Sequence, residues 1–220
     1  DNMIEVIADD LTGAAELAGI GMNHQLKTEV NTAVNAASDA DLLIIATNTR
    51  ALSADEAKEV SRQVTLQLMK LKPDLIFKKI DSVLRGHILP EIESQLEASG
   101  LKRALIIPGN PQHKKTIVNG VYYYCNTPVH QSNYARDPGF PIISSDVKRM
   151  LRADKHIHLL KKGEKLPQAG IAIGDISAEE DFSGWLTQID GHTLVAGAAG
   201  LINALLDHLN LSASAVGPRN

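Results

Sequence analysis

Lys78-Lys79-Ile80-Asp81-Ser82-Val83-Leu84-Arg85-Gly86-His87 is the stretch whose reading decides the fold. The apolar run Leu75-Ile76-Phe77 leads into it, and a helical pattern beginning near Ile88 follows. It therefore reads as a strand-to-helix junction crowded with two lysines, an aspartate, a serine and an arginine. On a strand, Phe77, Lys79 and Asp81 point to one face and Ile76, Lys78 and Ile80 to the other. Gly86 relieves the backbone, and Pro90 is tolerated only in the first turn of the helix. Arg85 and the open amides of that helix are expected to face one space, suited to a small anion such as a carboxylate or phosphate.

The rest of the chain repeats this unit. Met3 to Ala8 is a first strand, ending at Asp9-Asp10-Leu11-Thr12-Gly13, where Asp10 and Thr12 are both candidate N-caps. Ala14, Leu17, Ala18 and Gly21 then recur at helical spacing. Thr28 to Ala33 and Leu42 to Ala46 read as strands, the second ending in Thr47-Asn48-Thr49-Arg50. Ser53 or Asp55 opens an amphipathic helix that Pro73 stops. Ala104 to Ile107 is the next strand, followed by Pro108-Gly109-Asn110-Pro111. This alternation predicts an α/β fold, a mostly parallel sheet covered by helices. After residue 115 the texture changes: Thr116 to Val129 reads as an inserted antiparallel hairpin region. Tyr134 to Pro141 is a loop, and Asp146 to Leu151 a short helix. His156 to Leu160, Ile171 to Ile173 and Thr193 to Ala196 are strands. Ser177 and Glu180 form a capping-box pattern. Gly200 to Leu209 is the last helix. One domain spans 1–211, and 212–220 is a small, polar tail expected to fray.

Composition narrows the function. A formal net charge of -4 with no block of like charge argues against nucleic acid and anionic membranes as partners. Only 4% of residues are aromatic, too few for a base-stacking platform. No apolar run approaches the ~20 residues of a membrane span. The first residues lack the basic and apolar regions of a secretory signal. The single cysteine, Cys125, excludes an intrachain disulfide and fits a reducing cytoplasm. It reads as core rather than as a nucleophile. His156 and His158 share a strand face without a third ligand, so no metal site is expected. His87 and His113 are polar neighbours of the crowded junctions. In a parallel sheet the binding crevice lies beyond the carboxyl ends of the strands. Asp9-Asp10, Asn48 to Arg50, Lys79 to Arg85 and Asn110 to Lys115 all follow strands, so they are predicted to converge on one edge.

These residues resemble a known family. Ile7-Ala8-Asp9-Asp10-Leu11-Thr12-Gly13-Ala14 resembles the opening motif of the four-carbon acid sugar kinases. Lys79 to Gly86, with Glu91 following, resembles their second motif. Thr47 to Arg50, Asn110-Pro111, Gly120 to Tyr123, Ala135 to Pro138 and Val195 to Leu201 follow the family's order. Two departures are Val83, where the family has threonine, and Lys114-Lys115, where it has Gly-Arg. Lysine keeps the charge but loses the bidentate fork. The resemblance implies the sugar-acid-binding N-terminal domain of a two-domain, ATP-dependent cytoplasmic kinase acting on threonate- or erythronate-type acids. ATP and Mg²⁺ are then bound mainly by a C-terminal nucleotide-binding domain or partner chain beyond these residues. No P-loop is present, and Gly197-Ala198-Ala199-Gly200 is too short and generic to stand in for one. A homodimer is compatible with all of this.

Phosphorylating a sugar acid requires a held carboxylate, a base for the attacking hydroxyl and spread phosphoryl charge. Asp9 and Asp10 are the candidate catalytic pair; one is the base, and two carboxylates so close would push one pKa upward. Asp10 could instead only cap its helix. Arg85, with Ser82 and the helix amides, is the candidate carboxylate holder. Lys79, Asp81, Arg50, Asn110 and Lys115 complete the candidate substrate site. The plainer readings are that Lys79 pairs with Asp81 or Asp10, and that Arg136 pairs with Asp137 in a loop. A haloacid dehalogenase-type phosphatase is excluded because Ala8 stands where its nucleophilic aspartate is needed. The remaining alternative is a non-catalytic sugar-acid-binding module, acting as a sensor or with a separate chain.

Overall fold

The structure, a computed structural model, describes residues 3–153 and 156–215, the last five as helical backbone only. In chain order its elements begin with β1 (Ile4–Ala8), α1 (Leu11–Asn23), β2 (Thr28–Asn31), β3 (Leu42–Ala46), α2 (Ala54–Met69), β4 (Leu75–Lys79), α3 (Ile88–Ser99) and β5 (Arg103–Ile107). A small antiparallel sheet follows, of β6 (Lys115–Val118), β7 (Val121–Tyr124) and β8 (Thr127–Pro128). The chain then returns to the main layer with α4 (Val147–Met150), β9 (Ile157–Leu160), β10 (Gly170–Gly174), α5 (Asp181–Leu186), β11 (Thr193–Gly197) and α6 (Ala199–Ala215). The main sheet has eight strands in the order β2-β3-β1-β4-β11-β5-β10-β9, and every pair is parallel. Every residue of β1, β3 and β11 is buried, as expected for a sheet covered on both faces.

Register puts the chemistry at one edge. Ala8 lies beside Ala46 on one side and Lys79 on the other, and Lys79 beside Gly197. The residues that follow these positions therefore leave the sheet together. From β1 the chain reaches β3 on one side and β4 on the other, so the crevice between them is a topological switch point.

Local chemistry explains most element boundaries. Ser53 and Glu56 form a reciprocal capping box on α2, and Gly100, at φ 71°, ends α3. Asp10 caps α1, so the helix already includes Thr12. The expected Ser177–Glu180 capping box does not form. Instead Asp181 accepts from Ser177 and Ala178, because its carboxylate is the one turned back on the incoming chain. Cys125 is exposed rather than core: it sits with Asn126 at positive φ in the tight turn between β7 and β8, which turns it outward. The last helix continues through Ala215, past the expected start of the tail at Ser212; residues 216–220 lie outside the described residues.

Several buried polar residues interrupt the hydrophobic core, Glu5 among them. Glu5 is fully buried on β1, and neither carboxylate oxygen has a hydrogen-bond partner among the described residues. It stands in register with Ile76, two residues before Lys78, and so shares the sheet face on which Lys78 meets Glu91 of α3. Gln95, one turn after Glu91, is also buried, with both amide atoms unpartnered among the described residues. Burial pushes the Glu5 carboxyl up to about 8.

Candidate functional site

The loop after β1 carries Asp9 and Asp10, whose side chains diverge in role. Asp10 accepts the Gly13 amide at 2.9 Å, which closes the first turn of α1. Its side chain is 28% exposed, whereas that of Asp9 is 4% exposed. Arg50, after β3, grips Asp9 with a fork: Nε and Nη2 donate to its two oxygens at 3.2 and 3.1 Å. The third nitrogen lies 3.4 Å from Asp10 and 3.7 Å from Asp81. Burial works against the Arg50 charge, but Asp9, Asp81 and Asp10 outweigh it and raise its pKa.

The β4–α3 junction is built around Asp81. Arg85 donates through Nε and Nη2 to the two Asp81 oxygens, each at 2.8 Å, and through Nη1 to Asp137 at 2.8 Å. The Val83 and Arg85 amides also donate to Asp81. Burial disfavours the Asp81 carboxylate, yet Arg85 and Arg50 overcome this and hold its pKa below the usual range. Asp137 therefore pairs across the fold with Arg85 rather than with its neighbour Arg136. Gly86 makes the turn possible at φ 95°, and a Cβ there would come within 2.8 Å of an Asp9 oxygen.

The two adjacent lysines point to opposite faces. Lys78 is buried against Glu91, which also accepts from Thr49. Lys79 reaches the opposite side, donating to the Ile80 carbonyl at 2.9 Å with Glu16 at 3.7 Å. Asp81 and Asp10 are thus not its partners. Lys115, at the start of β6, donates to Ser82 Oγ at 2.8 Å and lies 5.2 Å above the Tyr134 ring. Asn110, after β5, is 7% exposed.

Asp10, Arg50, Lys79, Asp81, Ser82, Arg85, Asn110 and Lys115 line one cavity of about 170 Å³. Asp9 sits behind Arg50, outside its lining. Thr12, Gly13, Glu16, His113, Ala198 and Ala199 complete the wall. Of these the sequence reading noted only His113 as a neighbour. Ala198 and Ala199 follow β11, and the rule that applied to the other strand ends was the signal for them.

The expected amides of α3 are not in this wall. His87 and Ile88, at its start, open instead into a larger groove of about 780 Å³ between α3 and residues 139–152. The turn at Leu84 and Gly86, both at positive φ, swings the helix start away from the polar edge. Arg85 is the residue the two cavities share. In place of α3, the first turns of α1 and α6 face the small cavity. Gly13 and Gly200 give room there: a Cβ at Gly13 would lie 2.7 Å from Asp10 Oδ1, and one at Gly200 2.9 Å from Asn110 Oδ1.

At roughly 30 Å³ per water, the cavity has the volume of about six waters, below the range of drug-sized pockets. It suits a small, polar molecule and is too small for a nucleoside triphosphate. Among the described residues, no group of three or more His, Cys, Asp or Glu side chains is placed to hold a metal ion. No described helix is long and apolar enough to cross a membrane.

The model of the family described as "Sugar-binding N-terminal domain" matches residues 4–205. The chain is 29% identical over 222 residues to a D-threonate kinase of Salmonella typhimurium, covering 91% of this chain and 52% of that protein. It is 29% identical over 160 residues to a D-erythronate kinase of Heliobacterium modesticaldum, covering 70% of this chain and 36% of that protein. A crystal structure from Bordetella bronchiseptica, a domain-swapped dimer with bound citrate, superposes with a TM-score of 0.81 at 24% identity. That match covers 92% of this chain and 55% of the other. The chain thus spans about half, or less, of the length of the relatives it matches.

Proposed function

The chain belongs to the sugar-binding N-terminal domain family, and from that premise we propose that it is the substrate-binding half of an ATP-dependent kinase for a hydroxyl of a four-carbon sugar acid. The observation that carries this reading is the small cavity. It sets Lys79 and Lys115 beside Asp10, Asp81 and Asn110, the charge pattern of a polyhydroxy acid in a volume suited to one. The curated relatives named as D-threonate and D-erythronate kinases support the substrate class.

In this reading Asp10 is the base. It lines the cavity and keeps access to solvent, while Asp9 is enclosed and serves to fix Arg50. The substrate hydroxyl oxygen forms a bond to the terminal phosphorus of ATP, the bond from that phosphorus to the ADP oxygen breaks, and the hydroxyl proton passes to Asp10. Lys79, at the α1 end, takes the carboxylate. Asp81, Ser82 and Asn110 meet the hydroxyls. Arg85 is committed to Asp81 and Asp137, so it acts as a positioning residue rather than as the carboxylate holder. In this reading ATP and Mg²⁺ are bound mainly outside the residues described here. Their binding falls to the remaining half of the protein, in the cytoplasm, and a homodimer is compatible with the arrangement.

The test is thermal unfolding of this chain with threonate and erythronate isomers, and separately with ATP and Mg²⁺. A ligand at a hundred times its Kd stabilises by about 2.7 kcal/mol, a rise of roughly 5–10 °C for a domain of this size. A rise with one acid and none with ATP is expected. In the full-length kinase, Asp10→Asn should lower kcat at least ~100-fold with little change in acid binding. If turnover survives, Asp10 is not the base; if acid binding persists but wild type has no kinase activity, the chain is a binding module.

A further inference from the structure

The larger groove has no part in the reaction proposed above. It exists because one helix layer is incomplete. Lys78 reaches α3 and Lys79 reaches α1, so these helices cover opposite faces of the main sheet, with α2 packed beside α3. Beyond α3 its face receives no further long helix. After β5 the chain runs into the small antiparallel sheet, and only the four-residue α4 precedes β9. Ile157 of β9 and Ile171 of β10 are register partners, and through β5 and β11 they share the face on which Lys78 meets Glu91. They form the floor of the groove, with Leu84 and Ile88 on one side and Phe140 and Met150 on the other. Its volume of about 780 Å³ lies within the roughly 300–1,000 Å³ of sites that enclose a small organic molecule.

The charges around this apolar floor are unbalanced. Arg149 and Arg152 line the groove, and neither guanidinium has an ion pair or hydrogen bond among the described residues. Glu93 is the one acid in the lining, and Arg85 is already neutralised by Asp81 and Asp137. Two uncommitted guanidiniums over an apolar floor complement an anionic group carried on an apolar body. The groove is also tied to the small cavity. Asp137 Oδ1 accepts the Gly139 and Phe140 amides at 2.9 and 2.8 Å, which fixes the groove wall. Its Oδ2 accepts from Arg85, and Arg85 holds Asp81 in the small cavity.

We propose that the groove is a second ligand site, for a small organic anion with an apolar body, and that it is coupled to the small cavity through Arg85. A ligand seated against Phe140 bears on Asp137, and so on the Arg85 fork that orients Asp81. The site is independent of what the small cavity binds.

Anilinonaphthalene sulfonate is the probe, an apolar body with one anionic group; phenylnaphthylamine is the same body without the charge. Fluorescence titration should show saturable binding of the sulfonate. Arg149→Glu and Arg152→Glu change exposed side chains. Together they should weaken the sulfonate at least roughly tenfold, the loss of a charge-assisted hydrogen bond, and leave phenylnaphthylamine unchanged. Melting curves check that the variants fold. In spectra of the ¹⁵N-labelled chain the sulfonate should shift Phe140 and Met150 in the groove, and also Asp81 and Lys115, which line the small cavity alone. No saturable binding, shifts scattered away from the groove, or an affinity that the substitutions leave unchanged refutes the site. Equal weakening of both probes refutes the anionic class of ligand. Groove shifts without movement at Asp81 and Lys115 uphold the site and refute the coupling.

Discussion

Replacing Glu5 with glutamine should flatten the pH dependence of stability. The Glu5 carboxyl moves from 4.5 to about 8 on folding because burial disfavours its charge. The folded protein thus keeps a proton that the unfolded chain releases above pH 4.5. A group whose folded pKa is raised contributes stability fully below its unfolded pKa, and loses it as pH rises through the folded value. The window is therefore pH 4.5 to about 8. At 1.36 kcal/mol per unit, the wild-type chain loses up to ~5 kcal/mol across it from this one group. Glutamine has the same shape and no charge to lose. Any unmet amide hydrogen bond costs the same at every pH, so the difference between two pH values isolates the ionisation. Urea unfolding of wild type and Glu5→Gln at pH 5 and pH 9 measures it. Relative to wild type, the variant should gain several kcal/mol more at pH 9 than at pH 5, equivalent to roughly 10–20 °C in Tm. Parallel pH profiles would refute the argument, for Glu5 would then be paired or solvated in solution.

Lys78→Met should cost about 3 kcal/mol because it strands the buried Glu91 carboxylate with Thr49 as its remaining partner. Adding Glu91→Gln should recover much of that loss, and a double-mutant cycle that comes out additive would deny the coupling. Gly86→Ala should destabilise by about 1–3 kcal/mol, since the residue sits at φ 95° and its Cβ would press on Asp9. In the kinase proposed above it should also lower kcat, by displacing Asp9 and with it Arg50; unchanged stability in urea would contradict this.

The frame was legible in the sequence because parallel strands buried on both faces must be apolar along their whole length. Leu42 to Ala46 and Ala104 to Ile107 could be little else. The strand-end rule then gathers Asp10, Arg50, Lys79, Asp81, Asn110 and Lys115 at one edge. Pairings were harder to read, since a guanidinium chooses among carboxylates that are distant in sequence. Arg85 reaches Asp137 across 52 positions, so a residue taken for a free carboxylate holder is already committed. The direction of α3 was hidden for a different reason. Leu84 adopts positive φ, which its residue type does not advertise, and that single turn moves the helix start to another cavity. Glu5 was invisible because an acid within an apolar strand looks like a solvent-facing position until both faces are known to be covered.

Lys115 is the first residue of the small antiparallel sheet, and it reaches back to Ser82 on the main frame. The cavity thus has one fixed jaw, set by the ends of the parallel strands, and one jaw carried on a separate hairpin. Changes of length or side chain in that hairpin can reshape the space without touching the strand register. A single frame can in this way be refitted for small polar molecules of different length or hand, with the hairpin as the exchangeable part.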